Sequence, residues 1–204
     1  MIGIIDYGRG NISSVETALT KGGFENVTTD DLSVLDQCDG LILPGVGAFR
    51  DGMNDLERRG LIPFIRKAVA EGKPLLGICL GLHLLFEVGE EDGETEGLGI
   101  MKGRVERLTT SYKIPHIGWN ELKIRRQSPL LEGIKDGDTF YFVHSYQAHP
   151  VDESVINATC DYGQEVVAVV SRDNVFGVQF HPEKSSAKGL QLIQNFGRLV
   201  QKWS

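Results

Sequence analysis

Pro74-Leu75-Leu76-Gly77-Ile78-Cys79-Leu80-Gly81-Leu82-His83-Leu84-Leu85-Phe86 is the stretch from which the rest of the chain is read. A short apolar run that meets a glycine reads as a buried strand, and the leucine-rich run after it reads as a helix. Cys79 therefore sits where a strand turns sharply into a helix. The flanking glycines serve that turn, because a side chain thrust out of a tight strand-to-helix corner crowds its neighbours and glycine has no Cβ to clash. The turn predicts a thiol exposed over a helix N-terminus. There the dipole and unpaired N–H groups favour thiolate and lower a free-cysteine pKa of about 8.5 toward neutrality. Taken alone, a cysteine between two glycines also fits a buried small hydrophobe.

A thiolate nucleophile needs a proton shuttle, and Val178-Gln179-Phe180-His181-Pro182-Glu183 offers one far along the chain. Pro182 pushes His181 into the extended region, and side chains two apart on an extended chain point the same way, so His181 and Glu183 face together. Glu183 accepts from one ring nitrogen and fixes the tautomer. The other nitrogen carries protons between sulfur and leaving group. A lone His-Pro-Glu also fits a surface turn, but elbow and histidine together point to a Cys79-His181-Glu183 triad.

Short apolar runs alternate with amphipathic stretches. A strand is expected at 2–5, a helix over 11–21 stopped by Gly22-Gly23, and a strand at 41–43. A helical stretch over 52–71 breaks near Gly60 and Pro63, before the strand 74–78 that ends at Cys79. After Gly99 the pattern changes to strands at 104–108, 121–125, 140–143, 155–159, 166–170 and 175–180. A core-facing helix over 185–203 closes the chain, with Leu190, Ile193, Phe196, Leu199 and Val200 near helical spacing. The fold class is α/β: a central, mostly parallel sheet flanked by helices, with an additional antiparallel portion. Ligands of open α/β sheets collect at the carboxyl ends of strands, which is where Pro44-Gly45-Val46-Gly47 and Cys79 lie.

Length and composition bound the rest. The 204 residues suffice for one sizeable core, read as one domain over 1–204. Lys plus Arg number 21 against 28 for Asp plus Glu, a net charge of −7 that repels a phosphate backbone and argues against a nucleic-acid partner. Cys38, Cys79 and Cys160 are odd in number and contain no Cys-x-x-Cys pair, so neither a disulfide framework nor a metal site is suggested. No cofactor is called for, and a reducing cytoplasm fits best. Aliphatic runs such as 166–170 are far too short to span a bilayer, the opening residues read as a strand, and no targeting segment is evident.

Attack of a thiolate on a carboxamide generates an oxyanion. Leu80 is one backbone donor for it, and the second is expected from Val46 and Gly47, where glycine lets a peptide approach the ligand or reorient. The alternative for that segment is an ordinary strand-end turn. The acidic residues Glu87, Glu90, Glu91, Asp92, Glu94 and Glu96 read most simply as a solvated loop. His116 and His149 carry no signal of their own and read as structural.

Gly-Ile-Cys-Leu-Gly followed at this distance by His-Pro-Glu resembles the class I glutamine amidotransferases, whose glutaminase domains release ammonia from glutamine. Five further segments are similar to the glutaminase subunits of imidazole glycerol phosphate synthase: Asp6-Tyr7-Gly8-Arg9-Gly10-Asn11, Pro44-Gly45-Val46-Gly47, Pro115-His116-Ile117-Gly118-Trp119-Asn120, Tyr141-Phe142-Val143-His144-Ser145-Tyr146 and His181-Pro182-Glu183-Lys184-Ser185-Ser186. The resemblance implies that Gly47, His144, Ser145 and Tyr146 hold glutamine and that a glutamate after the nucleophile helix, assigned to Glu91, closes on its ammonium. It further implies that a peptide near Val46 flips before it can donate. Trp119, Tyr141 and Lys184 would lie at an interface with a (β/α)8 cyclase subunit, through which ammonia reaches the nucleotide substrate of a heterodimer. One residue departs from the pattern: His83 stands where the family usually has a glutamine that assists substrate binding. An imidazole can donate a hydrogen bond there, or form a competing Cys79–His83 dyad, since residues four apart on a helix lie about 5–6 Å apart. Geometry disfavours the dyad, because Cys79 precedes the first helical turn and no carboxylate orients His83.

Overall fold

Ile2–Ile5, Gly40–Leu43, Leu75–Ile78 and Val175–Val178 contain only apolar residues and glycine, the composition of strands covered on both faces, and every one of their residues is buried. They form the centre of the sheet in the computed structural model, which describes residues 1–203. In chain order the elements are β1 (Ile2–Ile5), α1 (Ile12–Lys21), β2 (Asn26–Thr29), α2 (Leu32–Asp36), β3 (Gly40–Leu43), α3 (Phe49–Arg58), α4 (Leu61–Ala70), β4 (Leu75–Ile78) and α5 (Leu80–Leu84). There follow β5 (Phe86–Gly89), β6 (Thr95–Glu96), β7 (Met101–Arg107), β8 (His116–Glu121), β9 (Lys123–Ile124), β10 (Thr139–His144), β11 (Tyr146–Pro150), β12 (Ile156–Asp161), β13 (Glu165–Arg172), β14 (Val175–Val178) and α6 (Ser186–Trp203).

The main sheet has the order β2-β1-β3-β4-β14-β13-β12-β9. Pairing is parallel from β2 to β14 and antiparallel from β14 to β9. Two smaller sheets attach to it, the antiparallel pair β10-β8 and the four-stranded β11-β7-β5-β6. The period of two along each strand divides the interior between the faces: on β3, Ile42 joins one cluster and Leu41 and Leu43 the other. The first cluster takes Val15 and Leu19 of α1 and Leu192, Ile193 and Phe196 of α6. The second takes Met53 and Leu56 of α3 and Leu61 and Ile65 of α4. The helices thus bury amphipathic stripes on both sides of one sheet, the doubly covered α/β arrangement.

The expected break near Gly60 is present, with φ of 68° at that glycine. Pro63 does not break anything, because it falls in the first turn of α4, where a missing N–H costs nothing. Four other expectations are corrected. The leucine-rich run after Cys79 leaves the helix at Leu84, and Phe86–Gly89 becomes a strand pairing with β7 and β6. The acidic residues are therefore not one loop, since Glu87 lies on β5 and Glu96 on β6. The strand expected at 121–125 is split between the end of β8 and β9. Tyr146–Pro150, the strand β11, was not expected and pairs with β7. Among the described residues no helix is long and apolar enough to cross a membrane.

Candidate active site

Three neighbouring parallel strands deliver the site from their carboxyl ends: β3 runs into Pro44–Gly47, β4 into Cys79, and β14 into Gln179-Phe180-His181. Cys79 adopts φ 54° and ψ −108°, a conformation that L-residues rarely take and that projects its thiol from the corner. Its N–H donates to Val178 O at 2.8 Å and its carbonyl accepts from His83 N at 3.2 Å, which ties the corner to β14 and to α5. At Gly81 a Cβ would stand 1.8 Å from Leu43 O, so only glycine lets the helix start against β3. The helix is five residues long. The dipole contribution read from the sequence is correspondingly reduced, because few aligned peptides stand behind Cys79.

The side chains of His181 and Glu183 are each 2% exposed, and His181 Nδ1 lies 2.8 Å from Glu183 Oε1. The carboxylate accepts from Nδ1–H and leaves Nε2 as the working nitrogen. Nε2 is buried without a hydrogen-bond partner of normal geometry, as is Glu183 Oε2. Burial alone would depress the imidazolium, but the Cys79 sulfur and the Glu183 carboxylate override it and raise the His181 pKa above its usual 6.5. A histidine held protonated beside a sulfur is the electrostatic condition for a thiolate–imidazolium pair.

Cys79 and His181 line a cavity of about 550 Å³ with Val46, Gly47, Leu80, His83, Glu91, His144, Ser145 and Tyr146. These are the catalytic, oxyanion and substrate residues singled out in the sequence, apart from Glu183, which stands behind His181. Trp119, Tyr141 and Lys184 lie outside it. Ala48 and Arg107 also line the cavity and carried no sequence signal; Asp92 of the acidic segment and Val143 of the Tyr141–Tyr146 segment line it too, without a role read from the sequence. A larger cleft of about 760 Å³ beside Trp119 and Asp161 contains Cys160, but burial pushes that thiol up to about 12 and no histidine lines the cleft. The chemistry selects the smaller cavity.

Leu80 N–H donates to Gly45 O at 3.3 Å, so one expected oxyanion donor is engaged within the protein. Pro44 O accepts from the buried Tyr7 hydroxyl at 2.7 Å. Downstream the segment loosens: Val46 is 44% exposed and Gly47 has φ 98°. Glu91 is not simply solvated, since its Oε2 accepts from Phe49 N at 3.1 Å at the start of α3, directly after this segment.

His83 does not form a dyad with Cys79; its Nε2 lies 2.7 Å from Gln179 Oε1. Burial depresses its pKa to about 4, with the Gln179 bond opposing. The side chain of His144 points into the protein, where Nδ1 bonds Tyr146 O at 2.8 Å and Nε2 meets His116 Nδ1 at 2.9 Å. Asn120 Nδ2 donates to His116 Nε2 at 3.3 Å, which fixes every proton in the row: Asn120 to His116, His116 to His144, His144 to Tyr146 O. His116 is thus structural, stacked between Phe142 and Tyr162. Trp119 and Tyr141 are directly opposed across β8 and β10, ring centroids 6.1 Å apart, with Trp119 52% exposed. Lys184 is exposed and follows Glu183 directly.

The family model for glutamine amidotransferase class-I matches residues 4–199. The imidazole glycerol phosphate synthase subunit HisH of Aquifex aeolicus (strain VF5) is 53% identical over 200 residues, 98% of this chain and 97% of that protein. The subunit of the same name from Bacillus cereus (strain G9842) is 51% identical over 203 residues, 100% and 97% of the two chains. Among solved structures, one described as a glutamine amidotransferase superposes with a TM-score of 0.78 at 23% identity, and PurLQS from Thermotoga maritima with 0.75 at 22%, each pairing covering 98% of both chains. At that identity the structures speak to fold alone. The chain belongs to the class I glutamine amidotransferases and, among them, to the imidazole glycerol phosphate synthase HisH subunits.

Proposed function

We propose that this enzyme hydrolyses L-glutamine to glutamate and ammonia through Cys79, His181 and Glu183, and that the ammonia is consumed by a cyclase subunit. The observation that carries the reading is the meeting of an elbow cysteine, a carboxylate-oriented histidine and a glycine-containing strand end in one cavity. Glu91 stands where it can hold the substrate ammonium, and Arg107 at the rim offers a cation to the α-carboxylate. Both nitrogens of His144 are engaged, so that segment binds through its backbone, the Ser145 hydroxyl and Tyr146. The Cys79 sulfur attacks the carboxamide carbon, and the electron pair of the C=O bond moves to oxygen. That oxyanion takes its donors from Leu80 and the Val46–Gly47 peptide. The C–N bond then breaks as His181 Nε2–H protonates the leaving nitrogen, giving ammonia and a γ-glutamyl thioester. His181 next takes a proton from water as it attacks the thioester, which releases glutamate and restores the sulfur.

The outward apolar face of β8 and β10 suits a partner. Ile117 and Trp119 are 58% and 52% exposed beside Tyr141, and Val143 on the same strand lines the cavity. We place the (β/α)8 cyclase there, with Lys184 at the edge, forming a heterodimer in which ammonia reaches the barrel and yields imidazole glycerol phosphate and an aminoimidazole carboxamide ribotide in histidine biosynthesis. Three unpaired cysteines suit a reducing cytoplasm. The test uses Cys79→Ala assembled with the cyclase. It should make no product from glutamine yet synthesise from ammonium salt, whereas equal loss with both nitrogen sources would refute the division of labour.

A further inference from the structure

We propose that Gln179, oriented by His83, is a positioning residue for the nucleophile: its carboxamide N–H donates to the Cys79 sulfur in the thiolate form. The inference rests on Cys79 being the nucleophile and adds a group that the triad does not contain.

Gln179 is fully buried and lies two residues before His181, so the extended chain leaving β14 turns both side chains to the same side, where Cys79 stands at the end of β4. A buried carboxamide must satisfy both ends. Its Oε1 lies 2.7 Å from His83 Nε2, and among the described residues its Nε2 has one partner, Cys79 Sγ at 4.0 Å. The amide could in principle be turned about, which would aim oxygen at sulfur and put two acceptors face to face once the sulfur ionises. His83 Nε2 can meet either end of the amide, donating to Oε1 as the Nε2–H tautomer or accepting from the amide as the Nδ1–H tautomer. The ionised sulfur selects the first, in which His83 donates to Oε1 and the amide nitrogen faces the sulfur.

Besides His181, the sulfur has two alternative contacts. Val143 O lies 3.9 Å away and can only accept, so it suits the neutral S–H. The Gln179 amide nitrogen can only donate, so it suits the thiolate. Passing the thiol proton to His181 therefore removes the attraction of Val143 O and turns on that of Gln179. A separation of 4.0 Å is long for a neutral pair and shortens when the acceptor carries charge. With α5 only five residues long, the thiolate needs such a side-chain donor beside His181. Burial keeps His83 neutral, so the amide is oriented without a second positive charge competing with His181 for the sulfur.

The test compares wild type, Gln179→Met, His83→Phe and His83→Gln, with folding checked by near-ultraviolet circular dichroism. The readouts are the rate of Cys79 alkylation by iodoacetamide at neutral pH, the ultraviolet absorbance of the thiolate that this alkylation removes, and the kcat and KM for glutamine. Removing one hydrogen bond to a charged acceptor should slow alkylation and lower kcat about tenfold or more in Gln179→Met, with KM little changed. His83→Phe, which removes the orienting partner and leaves the amide in place, should slow alkylation less than Gln179→Met; because His83 also lines the cavity, its orienting effect is read from alkylation and not from KM. His83→Gln, whose own carboxamide can donate to Oε1, should recover most of that loss. A purely structural Gln179 would change thermal stability and leave alkylation alone. Folded Gln179→Met and His83→Phe proteins that alkylate at the wild-type rate would overturn the proposal. A wild-type Cys79 that resists alkylation would instead defeat the nucleophile assignment on which it stands.

Discussion

At Cys79 a positive φ of 54°, the missing Cβ at Gly81 and the charge beside His181 all serve one outcome, a sulfur held away from its own helix and toward a proton acceptor. The other two thiols lack each of these. Burial pushes Cys160 up to about 12 and raises Cys38 as well, and among the described residues no histidine shifts either thiol. A glutamine-mimicking electrophile should therefore label Cys79 and spare Cys38 and Cys160 on peptide mapping; label on Cys160 with Cys79 untouched would remove the elbow from the chemistry. Gly81 offers a test of the scaffold rather than the reaction. A Cβ placed 1.8 Å from a backbone oxygen cannot be accommodated by a side-chain rotation. Gly81→Ala should accordingly cost stability at or beyond the upper end of the about 1–3 kcal/mol typical of overpacking, read from chemical denaturation. A neutral substitution would mean that β3 and α5 are not locked together as described.

The two-stranded sheet β8–β10 shows what an element-level argument can and cannot take from sequence. The parallel strands of the centre were legible because uninterrupted apolar runs ending at Pro44 and Cys79 have few other readings, and the pairing of His181 with Glu183 was legible because both lie within one short extended motif. β8 was not, since its alternation is inverted: His116 faces inward and Ile117 and Trp119 face out. The C-terminal part of the leucine run went to β5 because pairing with β7 outweighed its helical composition. Gln179, Arg107 and Tyr7 escaped because their roles exist only through contacts made in the folded chain. The histidine row that joins β8 to β10 also makes a pH prediction. Burial lowers His116 to about 4, and burial, partly opposed by the bond to Tyr146 O, lowers His144 to about 3, against 6.5 in the unfolded chain. As pH falls from 6.5 toward 4 the unfolded state binds protons that the folded state refuses, so stability declines across that window and is fully present above it. His83 adds to the slope in the same sense; His181, already protonated when folded, opposes it near pH 6.5 and falls silent as the unfolded imidazole also becomes protonated. Urea midpoints measured across this range should fall with pH, and His116→Phe, which keeps the stack on Phe142 and Tyr162 without a titrating group, should flatten the decline. A wild-type midpoint constant to pH 4 would show that these imidazoles are not held neutral.

Across the whole molecule, the outward face of β8–β10 and His181 are joined by one short ladder. His181 N donates to Tyr141 O at 2.9 Å, Tyr141 N donates to Ser185 Oγ at 2.9 Å, and the Ser185 hydroxyl donates to His181 O at 2.6 Å. A partner seated on Trp119 and Tyr141 thus bears directly on the segment that carries His181 and Glu183. On the other side of the cavity Leu80 N–H is engaged by Gly45 O and Pro44 O by the Tyr7 hydroxyl, so one donor of the proposed oxyanion site is occupied. One absent oxyanion donor is typically worth about 2.7–4 kcal/mol, or about 10²–10³ in kcat. The isolated chain should therefore hydrolyse glutamine slowly. A partner can relieve this only by binding the donor-ready arrangement more tightly than the resting one, and the pieces of that segment with room to reorient are exposed Val46 and Gly47, whose φ of 98° glycine tolerates. Glutaminase kcat is to be measured for the chain alone, with cyclase, and with cyclase plus its nucleotide, beside the Trp119→Ala protein under the same three conditions. The expected result is a rise of about 10²–10³ on assembly and ligation, with Trp119→Ala unchanged alone and less activated in the complex. Full activity of the isolated wild-type chain would eliminate the gate and leave a free-standing amidase, in which Leu80 and Gly45 separate without help.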